Sequence, residues 1–185
     1  DSLLSFITFA KEKAPWRKYG FEGKDYILVT LHRPSNVDKY DDLKKIIDML
    51  NKISNDILIL FPAHPRTRKN IDDFGLTIAN PVSIIQPLSY IEFLGLLSSA
   101  KLVLTDSGGI QEETTMLNIP CLTLRENTER PVTVEKGTNV LVGTDPEYII
   151  PLIKQIMKGE NKTGLIPPLW DGKSAKRISE IISKL

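Results

Sequence analysis

The chain carries a single cysteine, Cys121. A lone thiol cannot close an internal disulfide, so no disulfide framework holds this fold, and a reducing compartment suits it. Cys121 lies in the apolar run 119–124 and reads as a small buried hydrophobe rather than a nucleophile. There are only two histidines, and with one distant cysteine they match no metal-ligand spacing, so no metal site is expected. No apolar run reaches the length of a membrane span, and no signal peptide is recognisable. With a net charge of +1, nothing suggests a nucleic-acid or membrane surface. Neither a Gly-x-Gly-x-x-Gly fingerprint nor a Walker loop occurs, which argues against dinucleotides and ATP. These absences predict a cytoplasmic protein whose partners are neither nucleic acid nor membrane.

With 41% hydrophobic and 25% charged residues, 185 residues suffice for one domain with a full core. Short apolar runs predict strands at 25–31, 57–61, 82–85, 102–105, 120–124 and 139–142. Helical spacing predicts the segments between them. A short apolar helix precedes Pro15, and 16–24 reads as a loop. Asp38 opens a helix through Leu43, Ile46, Ile47, Leu50 and Ile53, and a polar helix leads to Gly75. Ser89 and Glu92 form a capping box, and Asp145-Pro146 starts a helix that Gly159 closes. Residues 161–173 read as a loop. Ser174 is expected to cap a last helix carrying Ile178, Ile181, Ile182 and Leu185. Nearly continuous apolar strands alternating with helices predict an α/β fold, a Rossmann-like parallel sheet with helices on both faces.

The informative fact is where the polar residues fall. His32 and Arg33, His64, Pro87 and Leu88, Ser107-Gly108-Gly109, and the stretch from Arg125 to Arg130 each follow the carboxyl end of a predicted strand. In a parallel sheet these ends share one edge, where ligands bind. The two glycines of Asp106-Ser107-Gly108-Gly109 are expected to adopt backbone angles closed to other residues and to admit a ligand close to the chain. Strand, Gly-Gly turn and helix together aim free N–H groups at an anion. Arginines beside that helix mouth suit a di-anion such as pyrophosphate. Glu113 lies one helical turn beyond Gly109 and suits a sugar diol. Histidine can exchange a proton with a leaving phosphate near neutral pH. A tight βα connection with acidic residues in its first turn accounts for the Gly-Gly segment equally well in isolation. Its placement among the other strand ends favours a nucleotide site.

Several stretches resemble, in order, the signature of the non-hydrolysing UDP-N-acetylglucosamine 2-epimerases. They are Thr30-Leu31-His32-Arg33 with Asn36, His64-Pro65, 106–113, Asn127-Thr128-Glu129-Arg130-Pro131, Gly137-Thr138-Asn139 and Gly143-Thr144. The resemblance implies one half of a glycosyltransferase-B-type architecture, two Rossmann-like domains facing across a cleft. Residues 1–24 would be the interdomain helix and linker, and 25–173 the UDP-binding domain. Residues 174–185 would form a helix that packs on a missing amino-terminal domain of the same protein. The chain begins at Asp1, as one cut from something longer would. The implied reaction interconverts UDP-N-acetylglucosamine and UDP-N-acetylmannosamine by elimination and re-addition of UDP, without a nicotinamide cofactor. By resemblance, His32 lies near the glycosidic phosphate, Ser107, Gly108 and Gly109 cradle phosphate, and Glu113 binds ribose. Arg33 and His64 line the cleft, where some bacterial members have a regulatory second nucleotide-sugar site. Asn36, Pro87, Leu88, Arg125, Thr128 and Arg130 complete the expected UDP-binding set. The implied partners are UDP and a UDP-N-acetylhexosamine, with a homodimer for the full-length protein and a role in polysaccharide precursor supply.

Two positions depart from the pattern. Ser35 and Val132 stand where many members have glutamate, and both point towards a subfamily with another sugar substituent. The carboxylates assigned to C2 proton transfer lie in the amino-terminal domain, so this chain alone is expected to bind UDP without turnover. Three other readings stay open: a hydrolysing 2-epimerase, a glycosyltransferase of the same architecture, and a nucleotide-sugar-binding module. An apolar patch is expected where the other domain would dock.

Overall fold

A computed structural model describes residues 1–184. Leu185, placed on the apolar face of the last helix by its spacing, lies outside the described residues. Six strands form one sheet: β1 (Tyr26–Thr30), β2 (Leu58–Pro62), β3 (Val82–Ile85), β4 (Leu102–Thr105), β5 (Cys121–Thr123) and β6 (Asn139–Leu141). Every pairing is parallel, and the order is β3-β2-β1-β4-β5-β6. All six expected strands are present, trimmed or shifted by one or two residues at most.

The strands read as unbroken apolar runs because both faces are covered. Ile27 and Val29 join one core cluster, while Tyr26 and Leu28 join the other, as alternation along a strand requires. The first cluster is closed by α3 (Tyr40–Ile53), α4 (Pro65–Asp73) and α8 (Pro146–Met157). The second is closed by α1 (Ser2–Glu12), α5 (Tyr90–Ser99) and α6 (Gly108–Leu117). Helices α1 and α5 meet closely at Gly95, where a methyl group would lie 2.7 Å from the Ala10 carbonyl oxygen and from Pro15. The Tyr26 hydroxyl, deep in this face, donates to the Leu96 carbonyl of α5.

The chain runs outward from β1 to β3, then returns to the opposite side of β1 as β4. That reversal opens a crevice at the carboxyl ends of β1 and β4. The strand ends carrying His32 and Asp106 are neighbours for this reason alone.

Several local expectations are corrected. The Ser89–Glu92 capping box is present, but Ser174 caps nothing: it is the first residue of α9 (Ser174–Ile182). The Asp1 carboxylate takes the Ser174 and Ala175 N–H groups at 3.0 and 2.8 Å, so the chain's first residue caps its last helix. Residues 16–24 contain most of a 3-10 turn, Pro15–Tyr19. Two short helices, α2 (Pro34–Val37) and α7 (Pro131–Glu135), start at prolines after strand-end loops that looked irregular.

Candidate functional site

Asp106, the first residue after β4, organises the crevice. Its side chain is fully buried. It accepts the His32 N–H at 3.1 Å, the Arg33 N–H at 2.9 Å and the Asn36 amide at 3.1 Å. Asn36 also donates to the Leu124 carbonyl at 3.1 Å, tying the loop after β5 to the same point. The His32 Nδ1 lies 3.1 Å from Asp106 Oδ1, while 46% of the ring stays exposed. This contact is the main reason the His32 pKa is raised; partial burial and the nearby Arg33 charge oppose it. Burial alone would push Asp106 up. The hydrogen bonds from His32 and Arg33, with the His32 charge, outweigh burial and hold it below the ordinary carboxylate value. The pair therefore favours a protonated imidazole on an ionised, buried carboxylate.

Beside it, α6 opens on Ser107, whose side chain makes no capping bond. The first N–H groups of the helix have no intrahelical acceptor, as in any first turn. Gly108 and Gly109 are ordinary helical residues, and neither has a positive φ. Their expected backbone strain is absent. What glycine provides here is space: a methyl group on Gly109 would meet nothing within 4 Å.

Arg125, whose side chain is 13% exposed, meets Glu129 with two nitrogens at 2.8 and 3.0 Å. Arg33 reaches the same carboxylate at 3.4 Å. Thr128 donates to Gln111 at 2.6 Å, and Arg130 pairs with Glu112 at 2.8 Å, so this loop is latched to α6. Behind the latch, Asn139 donates to both Gln111 and Thr133 at 3.1 Å.

One turn along α6, Glu113 lines a cavity of about 440 Å³ together with Gly109, Tyr90, Met116, Leu4 and Trp170. Burial, chiefly, raises the Glu113 pKa; Tyr90 opposes this and Glu112 adds to it. The Tyr90 hydroxyl is itself pushed up to about 12, by burial first and then by Glu113.

The expected set thus falls into groups. His32, Arg33 and Asn36 gather on Asp106, and Arg33 and Arg125 on Glu129. Ser107, Gly108 and Gly109 form the helix mouth, and Glu113 stands apart in the cavity. His64 is exposed at the start of α4, where its Nδ1 accepts the Arg66 N–H at 3.2 Å. Pro87 and Leu88 lie in the loop between β3 and α5, at the far side of the same edge. Asp106, Glu129 and Tyr90 were not expected in the site. A carboxylate directly after a buried strand was the available signal for Asp106, and the 127–131 signature stretch was the one for Glu129; Tyr90 had none. Cys121 is buried, and burial pushes its thiol to about 11, as expected of a core residue. Among the described residues there is no cluster of potential metal ligands, and no helix is long and apolar enough to cross a membrane.

The sequence profile of the UDP-N-acetylglucosamine 2-epimerases matches residues 1–183. The chain belongs to this family. A UDP-N-acetylglucosamine 2-epimerase of Methanococcus maripaludis is 44% identical over 167 residues, covering 87% of this chain and 45% of the relative. The UDP-2,3-diacetamido-2,3-dideoxy-D-glucuronate 2-epimerase of Pseudomonas aeruginosa is 38% identical, covering all of this chain and 51% of that enzyme. The crystal structure of the Methanocaldococcus jannaschii UDP-GlcNAc 2-epimerase in complex with UDP-GlcNAc and UDP superposes with a TM-score of 0.87 at 40% identity. That match covers 100% of this epimerase-family chain and 52% of the other. The chain spans about half the length of the curated relatives it matches.

Proposed function

We propose that this chain is the UDP-binding half of a UDP-N-acetylglucosamine 2-epimerase. The observation that carries the reading is the His32–Asp106 pair set beside the open first turn of α6. A diphosphate bridging them takes hydrogen bonds from Ser107 and the N–H groups at the helix mouth. Glu113 accepts the ribose hydroxyls, and Pro87 and Leu88 flank the base. His32, protonated through Asp106, donates to the phosphate oxygen that leaves C1. The full reaction removes the C2 proton, breaks the C1–O bond and gives an acetamidoglucal and UDP. Re-addition of UDP returns the proton to the other face of C2. No oxidation state changes overall, so the chemistry needs no redox cofactor.

In this reading the C2 proton is handled by an amino-terminal half, and this chain alone binds UDP without turnover. Residues 1–24 cross between the halves, and 174–185 dock on the partner half. The exposure of Ile178, Ile181 and Ile182 on α9 supports that docking. The full-length enzyme would be a cytoplasmic homodimer supplying a polysaccharide precursor, with a UDP-N-acetylhexosamine as substrate.

Calorimetric titration with UDP, with UMP and ADP as controls, tests the site. UDP is expected to bind selectively. Gly109→Ala, whose methyl group has room in the free protein, should keep its melting temperature and lose about tenfold or more in UDP affinity. Absence of selective UDP binding, both here and in the chain joined to its amino-terminal half, would overturn the assignment.

A further inference from the structure

A methyl group built on Gly108 would lie 3.8 Å from Glu129 Oε2, so this carboxylate hangs over the first residue of α6. The same carboxylate receives two nitrogens of Arg125 and one of Arg33. Arg33 Nε is buried with no hydrogen-bond partner, so the guanidinium has donor capacity that Glu129 does not use. A helix mouth and two arginines therefore converge on an anion that the protein itself supplies. Glu129 is held down to about 2, mainly by the Arg125 hydrogen bonds, and stays ionised at any working pH.

We propose that Glu129 is an internal stand-in for the β-phosphate, an anion that any incoming diphosphate must displace, so that only a diphosphate anchored elsewhere in the site fills the pocket at low concentration. The inference rests on the UDP reading above. With ribose on Glu113, four residues or about 6 Å along α6 from Gly109, the α-phosphate lies nearest Gly109. The β-phosphate then reaches Gly108, Arg33 and Arg125, where Glu129 sits. Two like charges cannot share that place, so the β-phosphate displaces the carboxylate. Free phosphate or pyrophosphate must displace it unaided. UDP, anchored by its ribose, meets the arginines at high effective concentration. Glu129 thus keeps a strongly cationic pocket from filling with free phosphates, at a loss of affinity that UDP and pyrophosphate share.

The test is calorimetric titration of the wild type and Glu129→Gln with UDP, UMP and inorganic pyrophosphate, with Glu129→Ala as a second variant. Glu129 is half exposed, and equal melting temperatures check that the fold is kept. Removing the carboxylate should tighten UDP and pyrophosphate by about five- to tenfold, the scale of a charge-assisted contact, and leave UMP within about twofold. Weaker UDP binding would make Glu129 a positioning residue for the arginines and overturn the proposal. Unchanged UDP and pyrophosphate affinities would overturn it as well, as would an equal gain by UMP, which is the signature of general charge. If pyrophosphate tightens as expected while no variant binds UDP, the nucleotide reading fails and the internal anion stands.

Discussion

At the scale of single residues, the site depends on one buried carboxylate. Asp106 accepts backbone N–H groups from residues 73 and 74 positions away and an amide 70 positions away. Asp106→Asn would turn an amide towards these donors and should cost roughly 2–4 kcal/mol in urea denaturation. It should also drop the His32 titration midpoint, followed by NMR, from above its ordinary 6.5 to below it, since burial and Arg33 then act unopposed. The signs fix the pH window. The raised pKa of His32 contributes stability in full below 6.5 and loses it as pH rises through the folded value. The lowered pKa of Asp106 contributes above 3.8 and loses it as pH falls through its folded value. The pair is therefore worth most between 3.8 and 6.5, and the proton donation proposed for His32 should fade above its folded midpoint. Sequence placed His32, Ser107 and Glu113 at strand ends or on a helix mouth. It could not assign Asp106, whose partners are all remote in the chain, or the link from Glu129 to Arg33, 96 residues away.

At the scale of elements, a capping signal is legible where both partners lie within one turn. Ser89 and Glu92 are three residues apart, and their capping box is present. The cap of α9 is not legible locally, because its acceptor, Asp1, lies 173 residues from Ser174. The contact of α1 with α5 is of the same remote kind. Gly95 looks like a weak point in a helix, and its role appears only when α1 lies on it. Gly95→Ala gains helix propensity but drives a methyl group to 2.7 Å from the Ala10 carbonyl oxygen. The net cost should be about 2 kcal/mol, read by urea denaturation, and limited proteolysis should then cut within α1.

At the scale of the whole molecule, the surface is uneven. Helix α9 buries no residue and exposes Ile178, Ile181 and Ile182, and the preceding loop exposes Leu165, Ile166 and Leu169. Exposed apolar side chains in such number promote association in water. Replacing the three isoleucines by glutamine should abolish concentration-dependent self-association in sedimentation velocity. The urea midpoint should hold within about 0.5 kcal/mol, since no buried contact is lost. In the enzyme joined to its amino-terminal half, the same changes should lower turnover by loosening the docking proposed for α9.

The sequence by itself determined the alternation of strands and helices, the parallel sheet and the strand ends on which the site is built. Those follow from periodicity and turn chemistry, which act over a few residues. Tertiary structure decided the strand order and therefore where the crevice opens. It also decided which carboxylate holds His32, which one fills the arginine pocket, and that the glycines of α6 are needed for space rather than for backbone conformation. His32 with Asp106 and Arg33 with Glu129 are 74 and 96 positions apart, and only the packed sheet brings them together.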